Sequence, residues 1–97
     1  MAEFAVFCLD DLRVALPLAC VERVVRAAYL TPLPDAPEIV LGVVNIQGLV
    51  IPAFNMRRRF RLPEREIGLS DQLLIAHTGR RAVALVADAV SGVFEYA

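Results

Sequence analysis

The sequence predicts a mainly β fold of the kind found in small, strongly bent β-barrels. Short runs of β-branched and aromatic residues recur along the chain, turn-forming residues separate them at close intervals, and neighbouring runs pair as hairpins. The chain has 97 residues, of which 58% are hydrophobic. We therefore expect a single domain, residues 1–97, with six or seven short strands and one short helix in its N-terminal half.

The first predicted element is a hairpin. The segment from Glu3 to Leu9 is rich in aromatic and β-branched residues, and the segment from Leu12 to Leu16 alternates apolar residues with others. Asp10 and Asp11 lie between the two segments. Carboxylates of this length bond nearby backbone N–H groups and so favour a turn.

A short amphipathic helix is predicted after this hairpin. Pro17 suits the first position of a helix, because its missing N–H would have no partner there. Apolar residues then recur at helical spacing, at Leu18, Val21, Val24 and Val25. Glu22, Arg23 and Arg26 lie off this stripe, and Glu22 and Arg26 are spaced for a weak surface ion pair. The charged face is either a solvated helix surface or a partner-binding surface.

The centre of the chain predicts a second hairpin, in which two β-branched runs flank Gly48. Side chains alternate along a strand, so Asn45 and Gln47 share one face, and Val44 and Ile46 share the other. We expect Val44 and Ile46 in the core, with Asn45 and Gln47 on a surface that a partner can contact. The alternative for Asn45 is an amide that supports the turn through nearby backbone.

Five arginines follow the central hairpin, at Arg57, Arg58, Arg59, Arg61 and Arg65. One interpretation is a small nucleic-acid-binding barrel that uses the cluster from Arg57 to Arg61. Acidic residues follow closely, however, and no aromatic run is present for base stacking. We favour an exposed or partner-facing turn, with no nucleic acid as partner.

The last third of the chain predicts a third hairpin and a tail. Residues 71–77 and 81–87 are predicted strands around a turn at residues 78–80, and a turn and short apolar tail follow. The predicted core draws on the central and third hairpins, at Val44, Ile46, Val50, Leu74, Val83, Leu85 and Val86. Leu85 and Val86 cannot both face the same side of one strand.

The residues indicate neither catalysis, nor a cofactor, nor a metal site. His77 has no second ligand-type residue at suitable spacing, and no serine lies in a nucleophile motif. Cys8 and Cys20 are predicted to be reduced, buried thiols. We expect a cytoplasmic protein without membrane insertion, because no signal peptide or long apolar run is present.

The central stretch resembles a known family. The residues from Gly42 to Phe60, GVVNIQGLVIPAFNMRRRF, are similar to the signature of CheW-like domains, the coupling modules of bacterial chemotaxis. The resemblance extends over nearly the whole chain, including residues 21–26, 31–37 and 84–91. The family usually has Asn-Leu-Arg-Gly at residues 45–48, so Gln47 replaces an arginine.

This resemblance implies two small SH3-like β-barrels that have no enzymatic activity. Such domains bridge chemoreceptors to the regulatory domain of a CheA-type histidine kinase. Together with the charged faces described above, the resemblance predicts a partner-binding set of Asn45, Gln47, Gly48, Glu22, Arg23, Arg26 and Arg57. An uncharged amide at residue 47 can donate hydrogen bonds but cannot form a bidentate salt bridge with a carboxylate.

The family usually continues for several strands beyond the position of Tyr96, and those strands complete the first barrel. We therefore expect open strand edges and a homodimer formed by edge pairing or strand exchange. The alternative is that the tail from Ser91 to Ala97 folds back over its own barrel. Besides the nucleic-acid-binding barrel, a small-ligand sensor with a pocket between the barrels is the other alternative function.

Overall fold

The computed structural model describes residues 2–96, so Ala97 of the predicted tail lies outside the described residues. It contains β-strands, one short α-helix and two 3-10 turns. In chain order the strands and the helix are β1 Ala2–Leu9, β2 Leu12–Pro17, β3 Val21–Arg26, β4 Leu30–Pro32, β5 Val40–Ile46, β6 Leu49–Phe54, α1 Met56–Arg59, β7 Gln72–Thr78, β8 Arg81–Ala87 and β9 Ala89–Tyr96. The predicted mainly β fold is confirmed.

The strands form two sheets. The smaller sheet has the order β2-β1-β9, and the larger has the order β3-β7-β8-β6-β5-β4. All neighbouring strands are antiparallel except β6 and β8, which are parallel. The hairpins β1–β2, β5–β6 and β7–β8 correspond to the three predicted hairpins.

The larger sheet curls into a barrel because its two end strands are close in sequence. Between β3 and β4 lies only the 3-10 turn Ala27–Tyr29, so the end of one edge strand leads directly into the opposite edge strand. At the β4–β5 contact, a Cβ on Gly42 would lie 2.2 Å from the carbonyl oxygen of Thr31. A glycine is therefore required where these two strands meet.

The predicted N-terminal helix is wrong. Pro17 leads into a 3-10 turn at Leu18–Cys20, and the residues that follow form β3, which pairs with β7. A segment of nine residues is too short to form a stable helix by itself, so tertiary pairing decides its conformation. Its valines favour that outcome, because β-branched side chains suit a half-buried strand.

The predicted apolar tail is instead a full strand. β9 runs antiparallel to β1, with Phe4 opposite Phe94 and Ala2 opposite Tyr96. Residues 91–96 of the tail thus lie along β1 of their own chain, and the choice between a homodimer and a capping tail stays a prediction. A register shift at Val6 and Phe7 bends this pairing.

Two hydrophobic cores stabilise the fold. The barrel core lies inside the larger sheet and consists of Ala27, Val44, Ile51, Ala53, Leu73, Ile75 and Ala84. The inter-sheet core joins the smaller sheet to the barrel and consists of Phe7, Leu9, Leu74 and Ala87. The smaller sheet is therefore held against the outside of the barrel.

Strands β7 and β8 contribute to both cores. Successive side chains point to opposite faces, so Leu74 packs in the inter-sheet core between two barrel-core residues. Leu85 likewise packs against the inter-sheet core and Val86 against the barrel core. The predicted core positions Val44 and Leu74 are confirmed as fully buried, whereas Ile46 and Val83 are half-buried.

Candidate functional site

The tip of the β5–β6 hairpin is an exposed turn whose shape its own residues determine. Gln47 and Gly48 have φ values of 53° and 85°, the left-handed pair expected of a tight two-residue hairpin turn. The Asn45 side chain accepts a hydrogen bond of 2.9 Å from the backbone N–H of Gly48. Asn45 therefore supports the turn, which is the alternative considered for it, while Gln47 is exposed at the tip.

Two large apolar side chains follow the turn in open solvent. Leu49 is 58% exposed and Val50 is 59% exposed. The prediction that Val50 belongs to the core is wrong. Val50 lies opposite Asn45 in the hairpin, so both point outward, whereas Ile51 lies opposite the buried Val44.

A groove runs beside these exposed residues. Strands β6 and β8 are paired only at Ala53–Ala84 and Phe54–Leu85, and they separate toward the two hairpin tips. The space between them has a volume of about 530 Å³. Apolar residues form most of its lining and two arginines stand at the β7–β8 turn, the full set being Leu49, Val50, Ile51, Pro52, Phe54, Arg80, Arg81, Ala82 and Val83.

The charged residues predicted on the N-terminal helix lie instead on the edge strand β3. Glu22, Arg23 and Arg26 are all exposed there. Residues four apart in a strand are about 13 Å apart, which is too far for the predicted Glu22–Arg26 pair. The observed partner of Glu22 is His77 on β7, with a distance of 3.2 Å between Oε2 and Nε2.

Arg57, one of the predicted partner-binding residues, is internal in this structure. Its side chain is only 8% exposed and points from α1 into the junction between the two sheets. The guanidinium donates hydrogen bonds of 2.7 and 2.8 Å to the two carboxylate oxygens of Asp10 and of 2.7 Å to both oxygens of Asp88. Arg57 therefore ties the β1–β2 turn to the residue that separates β8 from β9.

A second arginine extends this network. Arg65 donates to both carboxylate oxygens of Asp71 at 2.8 and 2.9 Å, and to Asp88 at 2.6 Å. Asp88 also accepts a bond of 2.7 Å from the backbone N–H of Asp10. We call these five residues, Asp10, Arg57, Arg65, Asp71 and Asp88, the ion-pair junction.

The junction keeps its carboxyl groups ionised. Hydrogen bonds from Arg57 lower the pKa of Asp10, and those from Arg65 lower the pKa of Asp71 against the opposing effect of burial. Burial raises the pKa of Asp88, but hydrogen bonds from the Asp10 N–H and both arginines outweigh it, so the pKa is lowered. Fixed opposite charges hold the two sheets together here.

This geometry gives little support to the two alternative functions, a nucleic-acid-binding barrel and a small-ligand sensor. Arg57, Arg58 and Arg65 of the arginine cluster are already paired with carboxylates, Arg58 with Glu38 and Glu64. A phosphate would have to displace those partners. The small-ligand alternative places a pocket between the two barrels, but the cavity at the ion-pair junction between the two sheets has a volume of only about 20 Å³.

Residues 2–96 form the part of the chain that the structure describes. Within it, no three His, Cys, Asp or Glu side chains are close enough together to hold a metal ion. None of its helices has the length and apolar character needed to cross a bilayer. Cys8 and Cys20 are free, half-buried thiols.

The predicted partner-binding residues thus occupy three separate places. Asn45, Gln47 and Gly48 lie at the hairpin tip, the β3 charges lie on an edge strand of the barrel, and Arg57 is internal. The sequence analysis missed the exposed apolar side chains beside the tip. A two-residue turn at Gln47 and Gly48 fixes the hairpin register, and that register would have placed Val50 on the Asn45 face.

Comparison with known proteins gives a consistent result. The family model of the CheW-like domain matches residues 3–97. The chain is 38% identical over 90 residues to protein FrzA of Myxococcus xanthus, covering 93% of this chain and 56% of that protein. It is 30% identical over 91 residues to chemotaxis protein CheW of Rhizobium meliloti, covering 94% of this chain and 59% of that protein.

The solved structures include a similar fold. The crystal structure of the scaffolding protein TtCheW from Thermoanaerobacter tengcongensis matches with a TM-score of 0.87 and 27% identity, covering 96% of this chain and 64% of that one. The chain therefore spans a little over half the length of the relatives that it matches. From the family model, the relatives and the shared architecture together, the chain belongs to the family of CheW-like domains.

Proposed function

We propose that this chain is a non-enzymatic, cytoplasmic adaptor module of chemotaxis-type signal transduction. Its partners are proposed to be the regulatory domain of a CheA-type histidine kinase, a chemoreceptor, or both. Membership of the CheW-like family supports this proposal, as does the similarity of the chain to a chemotaxis protein and to a scaffolding protein.

The observation that carries the proposal is the apolar groove between β6 and β8. Leu49 and Val50 leave more than half of their surface in water. Exposed apolar side chains grouped beside a groove are typical of protein-interaction sites. Burying such side chains against a partner recovers about 25 cal/mol per Å² of apolar surface.

The shape and charge of the groove favour an extended partner segment. Its two walls are strands whose facing edges are unpaired where β6 and β8 separate, so a strand can add to either wall. Arg80 and Arg81 stand at one end of the groove. We propose a partner segment with apolar residues along the groove and an acidic residue near those arginines.

A pair of leucine variants tests this role. Leu49→Ala removes an apolar side chain that lines the groove, and Leu69→Ala removes one that is 82% exposed in the loop before β7. Isothermal titration against a CheA-type regulatory domain should show at least about tenfold weaker binding for Leu49→Ala, a loss typical of an interface hot spot. Leu69→Ala should bind like the parent. Equal affinities for both variants would remove the groove from the proposed interface.

A second copy of this chain is a further proposed partner. Each sheet has two end strands, and among residues 2–96 no strand lies beside their outer edges. Open edges can pair with an identical edge around a two-fold axis, the commonest symmetry of oligomers.

A further inference from the structure

The larger sheet consists of two three-stranded halves that meet along a short line. One half contains β3, β7 and β8, and the other contains β4, β5 and β6. Within the halves, β7 and β8 pair at seven positions and β5 and β6 at six. Between the halves, β6 and β8 pair at two positions, Ala53–Ala84 and Phe54–Leu85. The separation of the groove walls therefore depends on what joins the halves besides these two pairs and the barrel core.

The ion pair between Arg57 and Asp88 is a further connection between the halves, and it continues the same register. The two backbone pairs join residues 31 positions apart in the sequence, and Arg57 and Asp88 are also 31 positions apart. Arg57 follows Phe54 by three residues, just as Asp88 follows Leu85 by three. Because β6 and β8 are parallel, the ion pair lies beyond their paired end, and the groove opens at the other end.

The backbone holds both ends of this ion pair in place. The side chain of Asn55 caps the start of α1, and the carbonyl of Arg57 accepts a hydrogen bond of 2.8 Å from the N–H of Leu62. The N–H of Asp88 donates to the carbonyl of Cys8 at 2.9 Å. The Arg57 side chain is largely buried, so water screens its charge only weakly. The ion pair can therefore impose a fixed spacing on the two strands that lead into it.

We propose that the Arg57–Asp88 ion pair sets the distance between the walls of the groove and so positions both walls for the partner segment. This inference rests on the proposed function of the groove. It makes Arg57 and Asp88 positioning residues, which act on the partner through β6 and β8 without touching it. A segment that enters a wedge between two strands contacts both walls only where their spacing fits. Walls that are already held at that spacing lose less conformational freedom on binding.

Spin labels on the two hairpin tips measure the opening of the groove in the free chain. Gln47 and Arg80 are exposed at the tips of the β5–β6 and β7–β8 hairpins. The labelled parent carries Gln47→Cys and Arg80→Cys, with Cys8→Ser and Cys20→Ser to remove the native thiols. Pulsed electron paramagnetic resonance then gives the distribution of distances between the tips, which should be narrow for this parent.

Two variants remove the ion pair from opposite walls. Arg57→Met acts on the β6 side, and Asp88→Asn acts on the β8 side with almost no change of shape. Both should lengthen and broaden the distance distribution while circular dichroism shows a folded chain. Phe7→Leu is the control, because it weakens the inter-sheet core without removing an ion pair, and its distances should match the labelled parent. Unchanged distances in Asp88→Asn, or equal broadening in Phe7→Leu, would overturn the proposal.

Calorimetric titration against a CheA-type regulatory domain tests whether the spacing matters for binding. Asp88→Asn should weaken binding about tenfold, as is expected of Leu49→Ala, whereas Phe7→Leu should bind like the parent. The double variant of Asp88→Asn and Leu49→Ala should lose less affinity than the two single losses combined, because both act on the same contact. A wider groove with unchanged affinity would refute the positioning role. If Leu49→Ala itself binds like the parent, the proposed function fails and the positioning role with it, while the distances still decide whether the ion pair sets the spacing.

Discussion

Arg57 is the side chain whose removal should damage the fold most among the arginines of the cluster. It donates five hydrogen bonds, two to Asp10, two to Asp88 and one to the carbonyl of Pro63. Replacing it in the variant Arg57→Met keeps an apolar stem of similar length but removes every one of these bonds. The carboxylates then lose the charge that balances them.

The loss of stability in Arg57→Met depends on which partners Asp10 and Asp88 keep. Removing one partner of a buried ion pair costs roughly 3–5 kcal/mol. Asp10 is 45% exposed and can be hydrated, and Asp88 keeps its bond to Arg65, so we expect the lower end of that range, about 3 kcal/mol. For a domain of this size, 1 kcal/mol corresponds to roughly 4–8 °C, so the melting temperature should fall by about 12–24 °C.

The neighbouring arginine supplies the control. Arg58 lies in the same helix, but its side chain is 42% exposed and its partners Glu38 and Glu64 are mostly in solvent. An exposed pair of this kind contributes little to stability, because water screens its charges. Thermal and urea unfolding should therefore show a much larger loss of stability for Arg57→Met than for Arg58→Met. If Arg57→Met loses no more stability than Arg58→Met, the ion-pair junction does not hold the two sheets together.

Three other predictions concern pH, packing and the hairpin tip. The lowered pKa values of Asp71 and Asp88 mean that their stabilisation is present above the ordinary carboxyl pKa and is lost as pH falls through the lowered values. The midpoint of urea unfolding should therefore drop steeply below about pH 4. A midpoint that does not change with pH in this range would contradict the prediction. Val44→Ala should cost about 1–3 kcal/mol, whereas Val50→Ala should stay within roughly 0.5 kcal/mol, and equal unfolding free energies would reverse the assigned faces of the hairpin. Gln47→Arg should strengthen binding to an acidic family partner in calorimetric titration, because a charge-assisted bidentate contact is stronger than a neutral one; equal or weaker affinity for the variant would show that residue 47 does not pair with an acidic group of that partner.

Local patterns in the sequence were sufficient to predict the three hairpins. Each hairpin brings together residues that are close in sequence, so alternation and turn residues contain most of the information needed. The misplacement of Val50 arose within such a hairpin, because the side-chain faces of the second strand were not aligned through the turn. A shift of one residue exchanges the buried and exposed faces of a strand.

Contacts between distant residues explain what the sequence did not reveal. β3 is a strand because it pairs with β7, about fifty residues later, and the helical spacing of its apolar residues does not indicate that pairing. Arg57 is internal because its partners Asp10 and Asp88 come from opposite ends of the chain. No short-range pattern distinguishes this arginine from Arg58 beside it.

The strand β9 was missed for a related reason. Its residues form a strand because they pair with another strand, and that strand is β1 at the other end of the sequence. The glycine at residue 92 and the bend beside it weaken the local strand pattern further.

We propose that the groove between β6 and β8 receives the partner. Hydrogen exchange of this chain, measured alone and in complex with a CheA-type regulatory domain, tests it most directly. We expect slower exchange on binding in residues 49–54 and 80–83, which line the groove, and unchanged exchange around Arg57 and Arg65 in the ion-pair junction. Protection confined to β3, or distributed without preference for the groove, would rule out the groove as the partner's binding site.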